Sequence, residues 1–417
     1  MLFFPKTSTK ANGTGYQLAL LALAAGAAVY ARTTMAPLQE AVRIGLSLTD
    51  SQMGLLQGPA IALPLLLVSF PLGLAIDWGS RVRLARSLLV VAAIGCVLTA
   101  VSRGFQYLVL ARGVVGLATM AINPVVLSLI ADLYEPSRRG RALMVVGLAQ
   151  LAALSAAFGL GGEVLALCGP TPEAWRSAML YLTAPLVPAV AAVCAMREPT
   201  RRDTAERTAS SRGALPRLWH SRPRFLPVLL GIAAMEVAVA AVTFWTTPAL
   251  MRTFSVHADR AGELMAVTMM ISGIAGPLAG GCLADRLQRT GGPGRTLLVV
   301  CGLGLLSAPA ALFPLLHNLS AAAVVLVAFV SLIGMLCVMG TTVFIVIIPG
   351  EIRGLCTSIL TVTSTLAGGM APVVVSALSD GAGISIQASL SAVGLGASLA
   401  AVAAFAFGVS SVTTPEA

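Results

Sequence analysis

The chain has 417 residues, of which 57% are hydrophobic and 11% are charged, and its mean hydropathy is +0.90. A soluble domain carries about 25% charged residues, so the composition excludes an ordinary soluble protein and predicts an integral membrane protein. The net charge of +10 does not indicate a nucleic-acid partner, because the basic residues other than Arg32 and Arg112 fall between apolar runs. The seven cysteines contain no C-x-x-C pair, which predicts packing roles and neither a disulfide framework nor a metal site.

Twelve apolar runs approach or exceed the roughly 20 residues that a helix needs to cross the hydrocarbon core. We therefore predict an all-α integral membrane fold of twelve transmembrane helices. The first run is too long for the apolar core of a signal peptide, so we expect it to remain as a helix. The predicted helices cover about 17–38, 52–76, 84–102, 105–131, 142–168, 177–196, 224–253, 260–283, 296–316, 320–348, 355–379 and 385–409.

The basic residues predict the orientation. Counted between the apolar runs, 20 lysines and arginines fall on one side, against Arg43, Arg103, Arg176, Arg252 and Arg260 on the other. Cytoplasmic loops carry the excess of lysine and arginine. We therefore expect a multi-pass protein of the cell's inner (plasma) membrane with both termini cytoplasmic.

One long polar stretch divides the chain. Residues 197–223 are rich in arginine, serine and threonine, and we interpret them as a solvated cytoplasmic linker, with an anionic-lipid site as the alternative. The linker separates an N-terminal six-helix bundle, 1–196, from a C-terminal six-helix bundle, 224–417.

A charged motif occurs once in each predicted half. Gly73-x-x-x-Asp77 is followed by Arg81, and Gly281-x-x-x-Asp285 is followed at once by arginine. Both copies lie at the end of an apolar run. Such a repeat indicates a duplicated bundle, so we expect two pseudo-symmetric halves with a site at their interface near the membrane midplane.

Two ionisable residues lie well inside apolar runs. Arg32 is central in the first run, and a midplane arginine costs roughly 2.5–3.5 kcal/mol on insertion scales. It is either a structural arginine bonded to carbonyls or a cation that holds an anionic substrate group, and we favour the second. Glu236 in the seventh run is either a proton carrier or a permanently protonated group. Because the first and seventh helices are equivalent, Arg32 and Glu236 could face one cavity.

Further candidate substrate contacts are uncharged. Asn123-Pro124 interrupts the fourth helix, which either only kinks it or exposes a ligand-binding amide. Tyr30, Phe244 and Trp245 are candidate cavity liners, although aromatic residues in membrane helices more often serve packing.

Charges at the predicted cytoplasmic ends of helices form a candidate conformational latch. Its members are Asp77, Arg81, Asp132, Arg139 and, in the second half, Asp285. The alternative is a set of independent surface charges, whose pairs contribute little. The repeat of Gly-x-x-x-Asp favours the latch.

These motifs resemble those of major facilitator superfamily transporters, and among these the chain is most similar to the spinster-like family. In the superfamily, the fourth-helix arginine that matches Arg112 is associated with proton coupling; the alternative is an arginine in a structural ion pair or one that caps backbone carbonyls. The chain departs from the spinster-like pattern at Ala31 and Thr119, where that family carries acids, so either Glu236 replaces them or transport is uncoupled. The resemblance rests on 47–58, the Asp77 loop, Ala111-Arg112-x-x-x-Gly116, 128–132, Arg138-Arg139-Gly140-Arg141 and Pro372-x-x-x-Ser376-x-x-Ser379-Asp380.

The resemblance implies an alternating-access transporter for an anionic or amphiphilic organic molecule, such as a lysolipid. Alternatives are an organic-acid or multidrug carrier of the same fold, or a non-transporting membrane receptor or scaffold. No set of converging catalytic groups predicts an enzyme, and no cofactor is expected. Expected partners are a small-molecule or lipid substrate, protons and the lipid bilayer, with the protein a monomer.

Overall fold

The structure is a computed structural model that describes residues 9–199, 214–349 and 352–413. Within these ranges, the side chains of a few positions, Asp77 among them, are not described. The described residues are helical with short connections and contain no strand, as predicted.

The described part of the N-terminal half contains nine helices, because the second and sixth crossings are each made of two pieces and a short additional helix follows the first crossing. Their bounds are α1 Thr9–Thr33, α2 Gln39–Gly45, α3 Asp50–Gln57, α4 Pro59–Trp78, α5 Arg81–Val101, α6 Phe105–Leu133, α7 Pro136–Leu167, α8 Ala174–Thr183 and α9 Leu186–Val193.

In the residues that the structure describes, the C-terminal half contains five long helices and one 3₁₀ turn, Phe313–Leu315. The helices are α10 Ala214–Phe254, α11 Ala258–Ala310, α12 Leu319–Ile347, α13 Arg353–Ala382 and α14 Ile386–Thr413.

The described residues contain eleven stretches apolar and long enough to span a membrane. One of them, Ala258–Leu315, has 58 residues and supplies two crossings, because Gly292 breaks the helix with φ 68°. The predicted fold of twelve transmembrane helices is therefore confirmed.

Glycine and proline explain where the helices depart from the predicted bounds. The second crossing breaks at Gly58, since a residue that precedes a proline is disfavoured in helical conformation. The sixth breaks at Pro185, which lacks the backbone N–H that would continue the ladder. Helix α10 begins at Ala214, so residues 214–223 of the predicted linker are helical. Residues 200–213 lie outside the described part, and the division into bundles stays a prediction there.

The helices of each half pack mainly on one another, with α1 against α7 and α5 against α6 in the first, and α10 against α14 and α11 against α12 in the second. The halves meet where α7 contacts α11 and where α3 and α4 contact α13.

The two membrane faces of the molecule differ in charge. We call the face that carries Arg81, Arg139 and Glu198 the basic face, and the face that carries Glu40, Asp50 and Arg252 the opposite face. The halves approach most closely toward the opposite face. A Cβ added at Gly58 would lie 2.0 Å from the Gly369 carbonyl oxygen, and one at Gly262 would lie 2.5 Å from the Phe158 carbonyl oxygen.

Candidate functional site

A cavity of about 460 Å³ lies between the halves. Its wall combines apolar groups with a few hydroxyls and amides, as small-molecule sites do. The N-terminal half contributes Val29, Arg32, Thr33, Gln57, Gly58, Ile61, Ala62, Met120, Asn123 and Leu154, and the C-terminal half contributes Glu236, Val239, Ala240, Thr243, Phe244, Ser364, Thr365, Gly368 and Gly369.

Arg32 reaches this cavity from the last turn of α1, and not from the middle of the first helix as predicted, because α1 ends at Thr33. A cation at this end also complements the helix dipole. Among the described residues, its side chain has no hydrogen-bond or ion-pair partner. The guanidinium is therefore a partly exposed cation on the cavity wall.

Glu236 lines the same cavity from the middle of α10 in the other half. Its carboxyl group likewise has no hydrogen-bond partner among the described residues. Arg32 and Glu236 thus line one cavity, and they come from equivalent helices of the two halves.

Arg112 lies behind the cavity wall and is fully buried. Its Nη2 donates to the Arg32 carbonyl oxygen at 2.9 Å and to Gln57 Oε1 at 3.3 Å. Gln57 Nε2 donates in turn to Gln39 Oε1 at 3.2 Å. Arg112 therefore positions the end of α1 that carries Arg32, and does not line the cavity.

The other predicted substrate contacts divide into two groups. Asn123 and Phe244 line the cavity, and Asn123 Oδ1 accepts from Gln150 Nε2 at 2.8 Å. Tyr30 instead lines a separate cavity of about 210 Å³ between α1, α7 and the start of α9. Trp245 is fully buried, and its Nε1 donates to the Pro372 carbonyl oxygen at 3.0 Å, which ties α10 to α13.

The predicted latch residues are partly joined at the basic face. Arg81 Nη1 lies 2.5 Å from Asp132 and 3.0 Å from Ser128 Oγ, so α5 is tied to α6. Arg139 donates to the Ala131 carbonyl oxygen at 2.8 Å. These contacts lie within the N-terminal half.

The remaining latch residues do not join this group in the described part of the structure. Asp285 is exposed on α11 and has no ion pair with any described residue. The predicted role of Asp77 falls outside the described side chains. The latch, predicted as a charge cluster between helices that holds the outward-open state, therefore remains a prediction.

Sequence reasoning missed Glu198, whose carboxylate caps the N-terminal end of α5. Its carboxylate accepts from Ser80 Oγ at 2.6 Å and from the backbone N–H of Arg81 at 3.1 Å and of Val82 at 2.9 Å. Burial acts to raise the pKa of this carboxyl, but these hydrogen bonds and the Arg81 charge outweigh it and lower the pKa.

Sequence reasoning also missed a charge cluster at the opposite face, which we call the Arg252 cluster and which comprises Glu40, Arg43, Asp50 and Arg252. Arg252 Nη2 lies 2.8 Å from Glu40 Oε2 and 2.7 Å from Asp50 Oδ1, so it joins α10 to the N-terminal half. Arg43 pairs with Glu40 within that half, 2.6 Å away. Five basic residues at that face were visible in the sequence, but their partners were not.

A backbone contact reinforces this closure. The Ser51 N–H donates to Asp380 Oδ2 at 2.6 Å, which joins the start of α3 to the end of α13. Eight residues separate Phe244 in the cavity from Arg252, or about 12 Å of helix. The cavity therefore lies on the basic-face side of the contacts that close the opposite face.

Two six-helix halves around a central cavity, tied together at one membrane face, define a membrane transporter. The sequence model of the Major Facilitator Superfamily matches residues 18–372, and the chain belongs to this family. Its members are transporters of small molecules and not enzymes.

Solved structures show the same fold. A bacterial homologue of the human lysosomal transporter Spinster, inward-facing and unoccupied, aligns with a TM-score of 0.77 at 21% identity over 97% of this chain and 96% of its own. An inward-facing and occupied form of such a homologue aligns with a TM-score of 0.72 at 21% identity over 95% of each chain. The nucleoside transporter NupG aligns at 0.70 with 15% identity, over 94% of this chain and 98% of its own. The spinster-like resemblance is thus confirmed as a likeness of fold.

A curated relative from Mycolicibacterium smegmatis, described as an MFS-type efflux pump, is 28% identical over 279 residues. The match covers 66% of this chain and 62% of the relative.

Proposed function

We propose that the protein is a secondary transporter that moves an anionic or amphiphilic organic molecule through the central cavity by alternating access. Arg32 is the anchor for the anionic group of the substrate. The single observation that carries this proposal is the Arg32 side chain on the cavity wall, which has no partner among the described residues. A cation inside a membrane bundle is costly unless it is paired, so a site that presents one unpaired favours an anionic ligand.

The apolar part of the wall supports an organic substrate. Met120, Phe244 and Leu154 line the cavity beside the polar groups. A lysolipid is the amphiphile that the spinster-like resemblance favours. In this proposal Asn123 and Phe244 contact the substrate, Arg112 holds Arg32 in place, and Tyr30 and Trp245 act through packing.

Arg32→Gln tests the anchor. In a thermal-shift screen with lysophospholipids, organic anions and cationic drugs, we expect an anionic class to stabilise the wild-type protein. A ligand at a hundred times its dissociation constant adds about 2.7 kcal/mol to stability. The variant should bind that class about tenfold or more weakly, the usual effect of a lost charge-assisted hydrogen bond.

Arg103→Gln is the matched control, because Arg103 is an exposed arginine on the turn between α5 and α6. It should leave binding unchanged. An anion affinity that is equal in wild type and Arg32→Gln would remove Arg32 from the site.

We further propose that Glu236 couples transport to protons. Its support is a carboxyl group on the cavity wall with no hydrogen-bond partner among the described residues. In proteoliposomes with a proton gradient, Glu236→Gln should abolish accumulation of substrate against its gradient and, at saturating substrate, preserve exchange of internal for external substrate. A variant that still accumulates substrate would exclude Glu236 as the coupling group.

A second candidate function is drug efflux, which the description of the Mycolicibacterium smegmatis relative favours. Stabilisation by cationic drugs alone, equal in wild type and Arg32→Gln, would support it. For the membrane arrangement we propose a monomer in the plasma membrane with both termini and the basic face in the cytoplasm, following the distribution of arginine.

A further inference from the structure

We propose that the central cavity takes a zwitterion, a molecule whose anionic group binds Arg32 and whose ammonium group binds Glu236. The inference rests on the proposed function, in which Arg32 anchors an anion. It adds a second charge to the substrate and thereby narrows its chemical class.

The ionisable residues of the cavity carry the argument. Of the 19 described residues that line it, Arg32 and Glu236 are the two that ionise. They have opposite signs, and they come from α1 of one half and α10 of the other. No ion pair joins them to each other or to another described residue.

The neighbouring polar groups do not explain Glu236 as a structural residue. The hydroxyl of Thr243, also on α10, donates to the Val239 carbonyl oxygen of its own helix at 2.7 Å. The Asn123 side chain accepts a hydrogen bond from the Gln150 side chain, which lies in the same half. A carboxyl group inside a bundle that serves only the fold is normally hydrogen-bonded by its surroundings, and the half-buried Glu236 has no such partner among the described residues.

The transport cycle makes the unpaired charges consequential. Alternating access requires the halves to close over the substrate, which removes the cavity from water. Closing the halves over an unpaired ion is unfavourable, because the ion loses its hydration and gains no interaction with an opposite charge. A simple anion would neutralise Arg32 and leave Glu236 to be neutralised by a proton, whereas a zwitterion neutralises both charges by itself. A proton and an ammonium group neutralise the same carboxylate, so the assignment is compatible with proton coupling in the empty transporter.

The test uses ω-amino acids as probes of charge separation. Binding of ω-aminobutyrate, ω-aminohexanoate and ω-aminooctanoate to the purified protein in nanodiscs is measured by isothermal titration calorimetry. Octanoate and octylamine are the matched probes, since each has the longest chain with one of the two charges. We expect one ω-amino acid to bind about tenfold or more tightly than both, as one added charge-assisted hydrogen bond provides.

The variants assign each charge. Glu236→Gln should lower the affinity for the best-binding ω-amino acid to that for octanoate and leave the affinity for octanoate unchanged. Arg32→Gln should lower the affinity for both ligands. Glu263→Gln, an exposed carboxylate near the start of α11, is the matched control and should change neither.

The outcomes separate the two proposals. If octanoate requires Arg32 but no ω-amino acid binds more tightly, the zwitterion is excluded and the anion anchor stands. If octanoate binds without need of Arg32, the anchor itself fails. Binding of octylamine alone, dependent on Glu236, indicates a cationic substrate and overturns both. Failure of every ω-amino acid to bind the folded protein also overturns the zwitterion.

Discussion

At the scale of single residues, polar groups at and behind the cavity wall form a continuous chain of hydrogen bonds. Gln57 is 2% exposed, and it uses its carbonyl oxygen for Arg112 and its amide nitrogen for Gln39. Gln39 precedes Glu40, a member of the Arg252 cluster. The amide of Gln57 therefore links the support of Arg32 to the helix α2 that carries the closure of the opposite face.

Gln57→Leu should destabilise the folded protein, because it leaves a buried guanidinium and a buried amide oxygen each short of a partner. An unsatisfied buried polar group costs about 1–3 kcal/mol. Gln57→Glu should be less damaging, since it keeps the acceptor and adds a counter-charge for Arg112. Thermal unfolding in one detergent compares the three proteins. Equal stability of Gln57→Leu and wild type would show that the chain of hydrogen bonds carries no free energy.

At the scale of elements, the apolar runs predicted the existence of the helices, and the chemistry of single residues decided where they break. The runs predicted twelve crossings because each crossing must satisfy its backbone groups internally. Pro185 and Gly58-Pro59 were visible in the sequence. However, membrane helices tolerate proline and glycine when neighbours satisfy the freed groups, so their effect depended on packing that a sequence does not display.

Glu198 gives the start of α5 a pH-dependent stabilisation. Its pKa is lowered in the folded protein, so its contribution is present above the unfolded pKa, about 4.3. The contribution is lost as the pH falls through the lower folded value. We expect thermal stability to fall over this acid range in the wild type and to fall less in Glu198→Gln.

The matched control for this titration is Glu135→Gln. Glu135 is exposed at the same face, and its side chain does not cap α7. This variant should retain the acid dependence of the wild type. If Glu198→Gln loses stability with acid as steeply as the wild type does, the cap of α5 by Glu198 is not the cause.

At the scale of the whole molecule, the equivalence of the two halves allowed the sequence to predict that Arg32 and Glu236 face one cavity. That reasoning worked because the two residues lie on equivalent helices, the first helix of each half of a duplicated bundle. The sequence could not predict the Arg252 cluster. Asp50 and Arg252 are 202 positions apart, and neither belongs to a motif that is repeated in the two halves. The described ion pairs between the halves lie on the opposite face, and the predicted latch on the basic face remains a prediction.

Opening of the opposite face must break the pairs of Arg252 with Glu40 and Asp50. The two carboxylate side chains are only 10% and 9% exposed, and Arg252 is the residue of the cluster that joins them to the other half. Arg252→Gln removes this connection, while Arg43 remains beside both carboxylates, 2.6 Å from Glu40 and 3.8 Å from Asp50. The variant should therefore stay folded and populate the state open to the opposite face. A hydrogen bond to a charged group contributes about 1.5–3 kcal/mol, enough for a tenfold or larger change in population.

Spin labels at Ile44 and Ile384 report this opening, since both positions are exposed at the opposite face and belong to different halves. In a background without the native cysteines, double electron–electron resonance spectroscopy should show longer distances between the two spin labels for Arg252→Gln than for the wild type. Arg43→Gln is the matched control, because it removes a charge from the same cluster without breaking the contact between the halves. Equal distance distributions for all three proteins would mean that the glycine contacts near Gly58 and Gly262 close this face without the help of Arg252.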